Sequence, residues 1–344
     1  MSVLFPYNAW ECWWLAPLAF LLDVLFADPR LPWPHPVTLA GRILYALEKP
    51  ARRLESRNCG RAAGFVSVLL LAYCAGLVVW LLVALPFGGA LLAVYLSWAG
   101  LALGCLLRAG AGAADKIENA PLPEARRAVS MLVSRDVSAL GRPPLAKTLA
   151  DTLSENFTDA FLAPYFWLLM AGPVGLWCYK AVSTADSMWG YTTARWRSLG
   201  WAGARGDDIL AFIPARLSVL VLWLTDRLSC FLRLKRPWQG RWPGFRLVMR
   251  QARGLASPNS GLPMASCAWL CAGRMAGPSI YFGVLVDKPW LGPSPDSDRQ
   301  DWDTERLAAL RALLLRAGLV AAALCLAASA SIHVCRFIAH LGNG

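Results

Sequence analysis

Four stretches of this chain are nearly free of charge and long enough to cross a lipid bilayer, and this limits what the chain can fold into. They are Trp10–Phe26, Gly64–Leu85, Gly88–Leu107 and Leu307–Ile332, each close to the roughly 20 apolar residues that a helix needs to span the hydrocarbon layer. Within lipid every backbone N–H and C=O must be paired inside the protein, so such stretches become helices. Only 16% of the 344 residues are charged and 57% are hydrophobic. A soluble domain carries roughly a quarter charged residues, so this chain lacks the polar surface for one. The predicted fold class is all-α: a polytopic membrane helix bundle with broken or re-entrant helices and cytoplasmic amphipathic helices. It reads as a single integral membrane domain over residues 1–344, with polar loops at 27–63, 108–160, 183–208 and 233–306. No internal repeat stands out.

The net charge of +12 does not point to nucleic acid, because no basic-aromatic binding motif accompanies it. The basic residues gather between apolar runs, as in cytoplasmic loops. Pro86-Phe87 joins the second and third runs into a hairpin. Its outer flanks hold Arg42, Lys49, Arg52, Arg53, Arg57 and Arg61 on one side and Arg108, Lys116, Arg126 and Arg127 on the other. Both flanks are therefore expected in the cytoplasm and the N-terminus outside. Asp23 interrupts the first run and no basic stretch precedes it, so a cleaved signal peptide is not expected. The 17 Trp suit interfacial anchoring. The ten Cys are scattered, and Cys267 and Cys271 have no second pair or nearby His to make a zinc site.

Two further apolar stretches carry polar and helix-breaking residues. Phe161–Val182 holds Pro164, Gly172, Pro173, Gly175 and Lys180; Ile209–Phe231 follows Asp207-Asp208 and holds Pro214, Arg216 and Asp226. Such residues at membrane depth belong in protein interiors or watery cavities. Each stretch reads either as a span or as a re-entrant segment. Pro121–Asp136 and Pro143–Asp159 read as helices that begin at prolines. In the second, Leu145, Leu149, Leu153 and Phe157 form one face, and Asp151, Glu155 and Asp159 form roughly the opposite one. That face is either solvated or functional. Three stacked carboxylates at a membrane interface suit Mg²⁺, which takes oxygen ligands and bridges to phosphates. Asp186 and Asp207-Asp208 bracket a short polar loop, where one of the pair caps the following helix. Arg216 can pair with an acid or grip a phosphate. His35 between prolines and the Ser257–Gly261 turn say little alone.

In order along the chain, these residues resemble the adenosylcobinamide-phosphate synthase family, CobD or CbiB. The resemblance begins at Asp28-Pro29, His35-Pro36-Val37 and Gly41-Arg42, and passes through Ser134-Arg135-Asp136. It continues through Ser154-Glu155-Asn156-Phe157-Thr158-Asp159, then Ala163-Pro164, and Tyr179-Lys180-Ala181-Val182-Ser183-Thr184-Ala185-Asp186-Ser187-Met188-Trp189-Gly190-Tyr191. Ala204-Arg205, Asp207-Asp208, Ile213-Pro214-Ala215-Arg216, Ser257-Pro258-Asn259, Gly277-Pro278, Tyr281-Phe282-Gly283 and Val286-Asp287-Lys288-Pro289-Trp290 complete it. Four positions depart from the family pattern: Ser183 and Ala211 stand at an Asn, Met264 at a Glu and Ala160 at a Gly.

The resemblance implies a ligase of cobalamin biosynthesis in the cell inner membrane, with its site facing the cytoplasm. It would join aminopropanol, or its O-phosphate, to the corrinoid propionate of adenosylcobyric acid, with ATP as co-substrate. The implied catalytic residues are Glu155, Asn156, Asp159, Asp186 and Asp208. Mg²⁺ would be held by Glu155, Asp159, Asp186, Asp207 and Asp208. Substrate would be held by His35, Arg42, Arg135, Lys180, Arg205, Arg216, Ser257, Asn259, Tyr281 and Lys288. Expected partners are the two substrates, membrane lipid and other cobalamin-assembly membrane proteins, with no nucleic acid. The departures are also what a non-catalytic membrane regulator or assembly subunit would carry. A transporter would show paired interrupted segments in two similar halves, and none are visible.

Overall fold

A computed structural model of the chain describes residues 14–28, 32, 34–54, 59–191, 193, 195–281, 283–294 and 301–342, with the backbone alone at 54 and 329–342. Helices α1 (Leu15–Phe26), α2 (Pro36–Leu54), α3 (Gly60–Val83), α4 (Gly89–Gly100), α5 (Leu103–Asn119), α6 (Leu122–Ser130) and α7 (Arg142–Asn156) come first. A π-helical turn, Phe157–Leu162, leads into α8 (Ala163–Trp189). Then follow α9 (Trp201–Leu210), α10 (Phe212–Phe231), α11 (Phe245–Ala252), α12 (Gly261–Leu270) and α13 (Thr304–Gly342). Four short strands, β1 (Met275–Ala276), β2 (Ser279–Tyr281), β3 (Val284–Val286) and β4 (Trp290–Leu291), form two antiparallel pairs, β1 with β4 and β2 with β3.

The all-helical expectation therefore holds, apart from these two small ladders. Among the described residues four helical stretches are long and apolar enough to span a membrane: Gly60–Val83, Gly89–Asn119, Arg142–Trp189 and Thr304–Ala328. The bent pair Trp201–Leu210 and Phe212–Phe231 makes a fifth if counted as one span. Of the expected first span, Trp10–Phe26, the described part is the apolar helix α1, 12 residues ending at Phe26, and residues 10–13 lie outside the described residues. The polar segments 27–63 and 108–160 are largely helical rather than loop, and the helix expected over Pro121–Asp136 stops at Ser130. Arg57, Pro29 and Phe282 also lie outside the described residues.

The described residues fall into two compact units. Unit 1 comprises residues 1–102, 163–211 and 322–344. Within it α8 packs against α2, α3, α4 and α9. Helix α8 breaks where the sequence predicts: Ala171 and Gly172 leave helical geometry, Gly172 at φ 63°, immediately before Pro173. Proline cannot donate to the preceding turn and glycine tolerates the left-handed conformation. Helix α9 approaches α8 through glycines. A Cβ on Gly200 would lie 1.7 Å from the Trp189 carbonyl oxygen, and one on Gly203 only 3.1 Å from the Ala185 backbone. Gly206 meets Val182 in the same way, at 2.9 Å. This three-residue spacing lets two backbones touch, and it carries Asp207 and Asp208 toward the middle of α8.

Unit 2 comprises residues 103–162 and 212–321. Helix α7 is its axis and packs against α5, α6, α12 and β1. Leu145, Leu149, Leu153 and Phe157 are fully buried, as their spacing predicts. Asp151 is fully buried too, so the acidic row is not one solvated face. The π turn begins at Phe157, and its wider winding takes Asp159 out of the Asp151–Glu155 register. Asp226, the acid inside an apolar run, is also structural: it accepts from Arg236 at 2.7 Å and from the Trp238 indole at 3.0 Å.

Because Gly200 meets backbone rather than a movable side chain, Gly200→Ala forces α9 off α8. We expect a loss of about 1–3 kcal/mol, the usual cost of overpacking, read as a lower thermal midpoint of the detergent-solubilised protein. Gly112→Ala, at an exposed position within α5 where no atom lies within 4 Å, serves as the control and leaves the midpoint unchanged or slightly raised. Equal midpoints for the two variants would contradict this packing.

Candidate active site

In unit 2 the site is built on one buried carboxylate. Asp151 accepts from Arg135 at 2.7 Å and from Lys147 at 3.0 Å, and its other oxygen accepts the Ala276 backbone N–H at 2.9 Å. Lys147 also donates to the Ala276 carbonyl. A buried acid holding two bases thus ties helix α7 to strand β1. Burial alone would lower the Arg135 pKa, but the charge and hydrogen bond of Asp151, with Tyr281 and Glu155, together outweigh it and the net shift is upward. Arg135 remains a permanent cation.

Arg135 is shared by two cavities. The smaller, of about 180 Å³, is lined by Arg135, Glu155, Ser257, Ser260 and Lys288, with Leu255, Ala256, Met264 and Ala276 as its apolar wall. Four residues named from the sequence, Arg135, Glu155, Ser257 and Lys288, therefore converge in it. The β2–β3 hairpin brings in a fifth: Lys288 donates to the Tyr281 hydroxyl at 2.7 Å and lies 4.4 Å from its ring centre. Arg216 donates to the buried Asn259 at 3.1 Å, and the Asn259 N–H donates to the Ser257 hydroxyl at 3.3 Å. Asn156 is held away from this group, since its amide donates back to the Thr152 carbonyl and hydroxyl. Asp159 sits half-buried in the π turn. The larger cavity, of about 440 Å³, is lined by Arg135, Lys147, Arg274 and Ser279 and by Trp290 and Trp302 among others.

Unit 1 holds the remaining named residues. Asp207 is half-buried and its Oδ1, which is buried, has no hydrogen-bond partner. It feels the charges of Asp186, Asp208 and Lys180, and the Ser183 hydroxyl is within bonding reach of it. Asp208 pairs with the exposed Arg205 at 3.6 Å. Gly190 leaves room for Asp186, because a Cβ there would lie 1.9 Å from the Asp186 carboxylate. His35 accepts the Val37 N–H at Nδ1. Burial, helped by Lys180 and opposed by Asp28, lowers the His35 pKa below 6.5. His35 is thus a neutral ligand at neutral pH, not a cation. Arg42 is exposed on α2. Among the described residues no three His, Cys, Asp or Glu side chains form a ready metal-binding group. Cys267 and Cys271 are free and buried, and burial pushes the Cys267 thiol up to about 12.

Three features escaped sequence reasoning. Asp151 reads as one of three stacked acids on a solvated or functional face, although Lys147 one turn earlier signals the ion pair. Lys147 and Arg274 belong to no named motif. The spacing of Gly200, Gly203 and Gly206 is visible in the sequence, but only packing gives it meaning.

Fold and site together define a polytopic helical membrane protein with cation- and carboxylate-lined polar centres. The chain belongs to the CobD/Cbib protein family, whose family model matches residues 16–333. Curated relatives named cobalamin biosynthesis protein CobD include one from Geobacter metallireducens, 36% identical over 83% of this chain and 88% of the relative. Those from Klebsiella pneumoniae and Rhodobacter capsulatus are 34% and 36% identical, over 80% and 81% of this chain and 85% and 88% of the relative. No solved structure matches the chain.

Removing the negative charge of Asp151 leaves two largely buried cations without their shared counter-charge, so Asp151→Asn should cost about 3–5 kcal/mol. Glu155→Gln, which alters a cavity wall, should leave the thermal midpoint within about 2 °C of wild type. If Asp151→Asn melts like wild type, the carboxylate is not the tie between α7 and β1.

Proposed function

We propose that the chain is an amide synthase of cobalamin biosynthesis, joining aminopropanol or its O-phosphate to the propionate of adenosylcobyric acid. The observation that carries this reading is the smaller cavity of unit 2. It sets one carboxylate, Glu155, among two cations, Arg135 and Lys288, and two hydroxyls, Ser257 and Ser260. That arrangement complements a small molecule with an amine at one end and an anion at the other. Its size of about 180 Å³ suits such a molecule and excludes a macrocycle.

A propionate is a poor electrophile at neutral pH and needs activation. In the proposed chemistry its oxygen attacks the γ-phosphorus of ATP, ADP leaves and an acyl phosphate forms. The amine then attacks the acyl carbon, inorganic phosphate leaves and Glu155 takes the proton from the nitrogen. Arg135 and Lys288 hold phosphate or carboxylate oxygens by charge-assisted hydrogen bonds. The cavity of about 440 Å³ that shares Arg135 gives the phosphate donor room beside the amine.

Mg²⁺ fits the acids of unit 1 better than Glu155. Asp207 has a buried oxygen without a partner among like charges, whereas Glu155 already lies among cations. Asp207 with Asp186 or Asp208 would hold the ion through carboxylate oxygens. There it would supply divalent positive charge to an anionic ligand bound within unit 1. In this reading the site faces the cytoplasm of a cell with this protein in its inner membrane.

Complementation tests the reading. Wild type should restore cobinamide formation in a strain lacking the synthase, and neither Glu155→Ala nor Asp186→Ala should. Rescue by both variants, or none by wild type, would favour a regulator. In the same strain Ser187→Cys should resist a membrane-impermeant thiol reagent applied from outside; labelling would place the C-terminal end of α8 on the wrong face.

A further inference from the structure

We propose that unit 1 carries a binding surface for the headgroup of an anionic phospholipid, made by Lys49, Arg61, Arg195 and Arg197 around Trp196 and Trp201. The surface lies where an apolar span ends. On α3 the exposed side chains Phe65, Val66, Leu69, Leu70 and Tyr73 are lipid-facing in character, and they begin one turn after Arg61. Arg61 therefore marks the edge of the hydrocarbon. The Arg195–Gly200 turn is fastened to the same end, because Gly64 lies against the Leu199 carbonyl, 2.1 Å from where its Cβ would be. The last turns of α2 join there too, since Ala51 and Ala63 belong to one buried cluster.

Charge selects the partner. The described segments 34–54, 59–64 and 195–200 hold seven basic side chains and one carboxylate, Glu48. Glu48 is already taken by Arg52 at 2.9 Å and Arg195 at 2.7 Å. Even so, 64% of the Arg195 side chain remains exposed, and Lys49, Arg61 and Arg197 are exposed as well. So large an excess of one sign on a folded surface calls for anions from outside. The aromatic residues say where those anions are. The guanidinium groups of Arg52 and Arg195 lie 4.5 and 5.0 Å from the ring centre of Trp196, which also stacks on Trp189. Arg61 lies 5.7 Å over Trp201. Tryptophan beside arginine at the end of a span is the signature of the headgroup layer. Helix α2 adds an exposed apolar edge, Leu39 and Ile43, beside its basic residues, as a helix lying along a membrane surface does. A soluble polyanion would need the cations but not these apolar neighbours.

The inference is independent of the proposed reaction. The test is purified full-length protein in nanodiscs of phosphatidylcholine with or without phosphatidylglycerol, followed by native mass spectrometry of retained lipid. Wild type should retain phosphatidylglycerol in preference to phosphatidylcholine and melt at a higher temperature in its presence. The triple variant Lys49→Gln, Arg61→Gln, Arg197→Gln should lose on the order of a hundredfold in affinity, from the contribution of each basic residue near an anionic surface. Its yield in the membrane fraction should stay unchanged, and excess glycerol phosphate should not displace the lipid. Equal retention of the two lipids, retention by the triple variant, or displacement by glycerol phosphate would overturn the proposal.

Discussion

The buried Asp151 carboxylate is the interaction on which the arrangement of unit 2 depends. It holds Arg135 and Lys147 at 2.7 and 3.0 Å and caps the Ala276 N–H, so one side chain sets the register between a helix and a strand distant in sequence. Burying an ion pair costs solvation free energy, and the cost is tolerated only where further hydrogen bonds complete the arrangement. Here they do. One carboxylate between two bases also leaves a net positive charge, and that charge lies on the wall common to both cavities. The structural tie and the proposed anion site are thus the same atoms seen from two sides.

Much of the membrane fold was legible in the sequence because lipid imposes a simple rule of length and apolarity. Gly64–Leu85 became α3 almost unchanged, and the Gly172-Pro173 break appears where proline chemistry demands it. What stayed hidden depends on contact. Helical spacing put Asp151 opposite the leucines, but α7 is enclosed on several sides by α5, α6, α12 and β1, so no face of it is simply solvated. The π turn at Phe157–Leu162 could not be read either, since it inserts its extra width without a proline or glycine to signal it.

The site was legible in part, for a related reason. Residues matched through family motifs do gather: Arg135, Glu155, Ser257 and Lys288 in one cavity, and Lys180, Asp186, Asp207 and Asp208 within one charged cluster. Motif order, however, gives no partners. Lys147 and Arg274 have no motif to mark them, and Asn156 matches its motif while its amide is spent on Thr152. The departures from the family pattern also gain meaning in three dimensions. Ser183 still offers a hydroxyl to Asp207. Met264 forms part of the apolar wall beside Glu155, so the smaller cavity has one acid against two bases and is biased toward anionic ligands.

The central claim is that Glu155 acts on a small amine held by Arg135 and Lys288. The most direct measurement is turnover by purified protein reconstituted in lipid with adenosylcobyric acid, labelled aminopropanol phosphate and ATP. Wild type should form the corrinoid amide with one ADP and one phosphate per amide. Glu155→Gln should lower kcat by about 10²–10⁴-fold, the usual contribution of a positioned base, while folding normally. Amide formation at the wild-type rate by Glu155→Gln, or none by the wild type, would contradict the account.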